Sequence, residues 1–218
     1  MRVSKMFSLA SILGLMLSAC AASAASADEV TAESYPASIT GSADTEAGTF
    51  VTTAGTVSCT NTKYKATLSG QTTTIVAQLD FSSTTCTAFG FPATVETNEC
   101  SFLYTLQGGA STSGDVDLQC PTGKALTVKA TAGGTIKCTL EMKTQNDLEG
   151  SVAATNVGAG TTREVTLVGN MSGIDYIHTK GSGLGACSSG SSTSGSIQAR
   201  TIVTAENGAG SHVGIFLS

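Results

Sequence analysis

The sequence predicts an all-β protein, an antiparallel β-sandwich or barrel-like fold stapled by disulfides. Three observations carry this expectation. Apolar residues recur at every second position in short runs, which places them on one face of a strand. Turn-forming Gly, Ser, Asn and Asp separate the runs, and no stretch beyond the N-terminal segment shows a 3.6-residue apolar stripe, so helices are expected only as single turns. Six cysteines are spread through the body of the chain, an even number that can pair completely.

In KYKATLS, Tyr64, Ala66 and Leu68 alternate with Lys63, Lys65, Thr67 and Ser69. Further along, Ile75, Ala77, Leu79 and Phe81 share a face, as do Phe102, Tyr104 and Leu106, and Val116 and Leu118. The same pattern links Leu126, Val128 and Ala130, then Ile136, Leu140 and Met142. Hairpins are expected at QGGASTSGD (107–115), at TAGG (131–134) and at Asn207-Gly208, where both residues tolerate the positive φ of a type I′ turn. The Gly- and Ser-rich stretch GSGLGACSSGSSTSGS (181–196) reads as a flexible loop pinned by Cys187.

The N-terminus reads as an export signal. Arg2 and Lys5 precede the apolar run Phe7 to Met16, too short to span a bilayer. Leu17-Ser18-Ala19-Cys20 resembles the bacterial lipobox, in which the cysteine is lipidated and becomes N-terminal. That resemblance implies a signal peptide over residues 1–19, lipidation at Cys20 and membrane attachment through lipid. The alternative is cleavage after residue 27, at Ala25-Ser26-Ala27, releasing a soluble secreted or periplasmic chain. Residues 20–32 are expected to be a flexible tether and 33–218 the β domain, with a sub-boundary conceivable near 144–150.

Charge and cysteines bound the function. Loss of Arg2 and Lys5 leaves nine cationic against 16 anionic side chains, so nucleic acid, which needs a basic surface, is not an expected partner. An envelope or extracellular macromolecule fits better. Cys59, Cys86, Cys100, Cys120, Cys138 and Cys187 are read as structural disulfides rather than zinc ligands, because there is no Cys-x-x-Cys pair and only two histidines. Cys100 and Cys120 can face each other across the Gly108-Gly109 hairpin, and Cys59 and Cys86 are consecutive around the Tyr64 to Phe81 strands. Six cysteines allow fifteen connectivities and the sequence alone selects none; Cys138 is taken as the partner of Cys187, joining the two halves of the chain.

No catalytic motif is present: no nucleophile elbow, no H-E-x-x-H, no phosphate loop. Asp175 and His178 fall on opposite faces of a strand and are read as surface residues, and Asp115 and Asp117 as a solvated face opposite Val116 and Leu118. No metal or cofactor is expected. Phe89 and Phe91, around Gly90, are a candidate apolar contact surface, with a corner folded into the core as the alternative.

With TTAGTVSC, CTAFGFPATV and CPTGK between its cysteines, the body from about residue 35 to 217 resembles uncharacterised secreted β-rich bacterial proteins, which implies a stable exported module and no particular activity. The expected function is a non-catalytic binding or structural protein of the cell envelope; the alternative is a secreted hydrolase on a β-sandwich scaffold. Carbohydrate binding is disfavoured by the absence of Trp and by only four Tyr.

Overall fold

A computed structural model describes residues 29–44, 48–81, 84–107, 113–146, 148–183 and 187–218. The chain runs up and down eight times and closes on itself as an antiparallel eight-strand barrel with extra strands at one end. Most of the eight staves are broken in the middle into two strands. After β1 (Val30–Ala32), β2 (Ala37–Ala43) and β3 (Gly48–Thr52) form the first. After a turn at Thr53-Ala54, β4 (Gly55–Thr60) and β5 (Lys63–Leu68) return along β3 and β2. β6 (Thr74–Asp80) and β7 (Thr85–Ala88) climb beside them, and β8 (Phe91–Glu96) and β9 (Ser101–Gln107) descend.

The remaining staves follow the same meander. β10 (Ser113–Gln119) and β11 (Leu126–Ala132) climb, and β12 (Thr135–Met142) and β13 (Glu149–Val157) descend. β14 (Glu164–Lys180) rises against β13 and β12 as one long strand, and β15 (Gly190–Asn207) comes back down against it. The barrel closes because the free edge of β15 pairs with both parts of the first stave, Ala37 opposite Asn207 and Val51 opposite Ser196. Closure removes the exposed sheet edges that an open sandwich would leave.

Midway breaks bend the staves. Asn61 between β4 and β5, and Asn98 and Glu99 between β8 and β9, adopt positive φ, as does Gly173 within β14, where the register to β15 slips. Such bulges strengthen local twist and re-aim side chains, which a closed barrel needs. The stretch considered as a sub-boundary, 144–150, runs from the end of β12 into the start of β13. Gln145 and Leu148 bond back to Leu118 and Val116 of β10, and the Gln145 amide exchanges two hydrogen bonds of 2.7 Å with the Asp175 backbone. It joins staves rather than separating domains.

One end of the barrel is capped. β1 (Val30–Ala32) pairs with β17 (Ile215–Leu217), and β16 (His212–Val213) pairs with the end of β15. Val30, Ala32, Val213 and Ile215 are buried there against Ile39, Leu68, Val203 and Ala205. The expected tether therefore ends before residue 30, because Val30 to Ala32 are apolar enough to be worth burying as a strand. Cys20 and the cleavage sites lie outside the described residues.

The opposite rim carries the β3–β4, β7–β8 and β11–β12 turns. The β11–β12 turn, expected as a hairpin, has Gly133 and Gly134 both at positive φ (57° and 72°), as a type I′ turn requires. At the capped end Asn207-Gly208 does make a hairpin, but a longer one: the Asn207 side chain accepts hydrogen bonds from the amides of Ala209 and Ser211, each 3.0 Å, and the positive φ falls on Gly210. An Asx-type turn thus replaces the expected type I′.

The stretch 190–196, expected as loop, is the first part of β15. Its small residues are required by what faces them: a Cβ at Gly195 would lie 2.8 Å from the Ile174 carbonyl and from the Phe50 ring, and one at Gly190 would lie 3.1 Å from His178. Three disulfides staple this half. Cys59 joins Cys86, Cys100 joins Cys120 and Cys138 joins Cys187, the pairings expected from the sequence. They point to an oxidising, extracytoplasmic environment.

Candidate functional site

The inward face of the barrel is apolar and its outward face is rich in Thr, Ser and Lys, as alternation along β4 and β5 shows: Val57, Cys59, Tyr64, Ala66 and Leu68 point in, Thr56, Thr60, Lys65 and Thr67 point out. The upper half is densely filled by Val57, Cys59, Cys86, Ala88, Ala130, Cys138, Leu140, Ile174 and Tyr176. Tyr176 closes it near the rim, its ring edge-on to Phe50 at 5.7 Å and its hydroxyl accepting the Thr53 amide at 2.7 Å.

Below that packed half the interior is not filled. A cavity of about 180 Å³ runs from the Cys59 level down to Val30, Ile215 and Leu217 of the cap. Its existence follows from side-chain size: Gly41, Gly48, Gly114, Gly169 and Ala199, from five different strands, put little or nothing into the lumen. An eight-strand barrel is just wide enough for side chains to fill, so when several staves contribute glycine at similar depth a space opens.

Besides Thr49, Thr62, Thr105, Thr201 and Asp115, two phenols break the mostly apolar lining. Tyr64 on β5 and Tyr104 on β9 flank the Phe102 ring, with centroid separations of 6.4 and 6.2 Å. Desolvation pushes the Tyr64 phenol up to about 12. Burial raises that of Tyr104 well above its ordinary value, and the neighbouring Tyr64 adds repulsion between phenolates. Both are only half-buried by surface area, and deep inside the barrel that surface is cavity wall rather than bulk solvent. Neither hydroxyl hydrogen-bonds to another described residue.

A pH prediction follows for Tyr64. Its folded-state value lies above the unfolded one, near 10, so its stabilising contribution is complete below pH 10 and is lost as pH rises through about 12. In a spectrophotometric titration at 295 nm, Tyr64→Phe should remove a phenolate signal that in the parent appears only near pH 12 or on unfolding. Ionisation of that phenol near pH 10 in the folded protein would refute it.

The other sequence candidates are placed as follows. Phe89 and Phe91 flank the tip of the β7–β8 hairpin, with Phe89 and Gly90 at φ 56° and 82°. Both rings are half-buried and pack on the main core instead of forming an exposed contact surface; Phe89 turns over Gly55, where a Cβ would lie 3.2 Å from its ring. Asp175 and His178 do fall on opposite faces, but only Asp175 is exposed. His178, expected at the surface, is buried: its ring lies 5.9 Å from that of Tyr176, and Nδ1 donates to the Ser188 carbonyl at 2.6 Å. Burial of a polar ring is tolerated because that donor is satisfied. Asp115 accepts a hydrogen bond from Gln107, and Asp115 and Asp117 flank the buried Val116 as expected.

Sequence reasoning counted Tyr64 and Tyr104 as core and missed what their hydroxyls imply. The available signal was chemical: an inward-facing tyrosine needs a partner for its O–H, and the neighbouring alternating positions offer only Ala, Leu and Phe. Comparison of the chain with protein families, curated proteins and solved structures finds no match, so the functional reading stands on this geometry.

Proposed function

We propose that this chain is an exported envelope protein, lipid-anchored through Cys20, that acts as a non-catalytic binding module with its ligand space inside the barrel. The observation that carries the reading is the polarity of the wall: apolar inside, hydroxyl-rich outside. A barrel that spans an outer membrane has the reverse arrangement, an apolar outer band around a polar interior. A water-facing barrel needs another means of staying at a membrane, and the lipobox at Leu17 to Cys20 supplies one. From Cys20 to Glu29 the chain reaches at most roughly 30 Å, which would set the capped end toward the membrane and the disulfide-stapled rim away from it.

The test is the mature N-terminus in the native host. Intact-mass analysis of the membrane fraction should find an acylated N-terminal cysteine, and Cys20→Ala should move nearly all of the protein to the soluble fraction. Two or more acyl chains hold firmly, because each buried methylene contributes about 0.8 kcal/mol. An unmodified chain beginning at Asp28 would overturn the anchor.

A further inference from the structure

We propose that the barrel interior binds a neutral, largely hydrocarbon molecule carrying one hydrogen-bond acceptor, with Tyr64 and Tyr104 donating to that acceptor. This deepens the binding-module reading and rests on it. The first observation is the cavity itself, about 180 Å³ with apolar walls. That is slightly larger than an apolar cavity of about 150 Å³ known to take up benzene, which sets the ligand at on the order of ten non-hydrogen atoms.

The second observation is the pair of phenols, which come from β5 and β9 with β6 between them; Tyr64 lies opposite Leu79 and Tyr104 opposite Ile75. Two O–H groups inside an apolar lumen, without a hydrogen bond to the described chain, are costly unless something else accepts from them. A ligand carbonyl or ether oxygen does so. The phenols remain protonated at neutral pH, so they present donors rather than negative charge.

The third observation fixes the charge of the ligand. Among the described residues no Lys, Arg or His lines the cavity, and Asp115, which borders it, has its side chain on the strand face opposite the buried Val116, held by Gln107. An anionic head group would find no cation there to offset a large desolvation cost. Fatty carboxylates are therefore excluded by the same wall that admits a ketone.

Gly169 provides a way to close the space. A Cβ there would meet only the Ala199 carbonyl and Val152 Cγ2, both at 3.9 Å, so a larger side chain enters the cavity without backbone conflict. The experiment is isothermal titration calorimetry on the disulfide-intact full mature chain, with 2-octanone, octanoate and toluene as probes. 2-Octanone should bind saturably at one per chain, at least about tenfold more tightly than octanoate. Tyr64→Phe with Tyr104→Phe should weaken 2-octanone about tenfold and change toluene less than about twofold, the size expected for losing hydrogen bonds alone. Gly169→Leu should weaken both by about tenfold or more.

Absence of saturable binding by the folded protein would overturn the proposal. So would tighter binding of octanoate, or an unchanged 2-octanone affinity in the double Phe variant, which would mean that internal water serves the hydroxyls. Should Gly169→Leu fail to fold, the double Phe variant, which removes only two oxygen atoms, still decides. Failure here with an acylated Cys20 in place would sink the ligand class and leave the anchored module standing; the N-terminal mass tests that separately.

Discussion

Replacing Cys138 by Ala together with Cys187 by Ser should lower the melting temperature by about 10 °C. The bridge joins β12 to the connection between β14 and β15, and its ends are 49 residues apart in sequence with Cα atoms 5.4 Å apart. In the chain-entropy model a loop of that size restricts the unfolded state by roughly 4 kcal/mol, and in a chain of this length each 1 kcal/mol moves the midpoint by about 2–4 °C. Both cysteines are replaced so that no lone thiol remains in the space left by Cys138, which is 1 % exposed. Beside the bridge the Cys187 amide donates to the Lys137 carbonyl at 3.3 Å, a contact that the variant would have to hold without the covalent link. Scanning calorimetry of the oxidised variant checks this. A shift under about 3 °C would show that the rim is held by its strands and that the bridge adds little.

Leu140→Ala should cost about 3 kcal/mol, whereas Leu106→Ala should cost about 1. The contrast is a test of where the interior is packed. Leu140 is fully buried, opposite Val128 on one neighbouring strand and His178 on the other, in the filled upper half. Its removal leaves a hole that rigid, disulfide-bridged staves cannot collapse around. Leu106 lines the cavity and is only half-buried, so part of its surface gains nothing from the fold and its loss merely enlarges an existing space. Urea unfolding of the two variants reads the difference directly. Equal costs would mean that the lower interior is as tightly packed as the upper.

Outer-face ion pairs are a weaker support. Lys65 to Asp80 and Lys129 to Glu96 at 2.6 Å, and Arg200 to Asp44 at 2.9 Å, link neighbouring strands, but pairs this accessible contribute about 0–1 kcal/mol each. Register here is set by the apolar interior. A slip of one residue would turn Val57, Cys59 and their neighbours outward and break the Cys59–Cys86 pair, whose members lie directly opposite each other.

Alternation alone determined that the chain is all-β and which residues face inward. Tyr64, Ala66 and Leu68, or Leu126, Val128 and Ala130, could be read correctly because side-chain period is a property of one strand and needs no knowledge of its neighbours. Cysteine parity allowed complete pairing and hairpin position suggested Cys100 with Cys120, but the choice among fifteen connectivities was made by the strand pairing that sets Cys59 opposite Cys86 and brings Cys187 to Cys138. The chemistry of the first twenty residues, likewise local, implied export and a lipid anchor.

Tertiary structure decided what depends on several staves at once. Barrel rather than sandwich rests on one set of contacts, the pairing of β15 with β2 and β3, between segments about 150 residues apart. The Ser- and Gly-rich 190–196 stretch forms a strand in which the Phe50 ring and the Ile174 carbonyl leave no room for a side chain at Gly195, and the His178 ring crowds Gly190. His178 went inward because a carbonyl ten residues later was positioned to accept its N–H. The cavity is the extreme case. Gly41, Gly48, Gly169 and Ala199 are unremarkable one at a time, and only closure of the barrel brings their missing volume to one place beside two phenols, because a void belongs to the residues surrounding it and to no single strand.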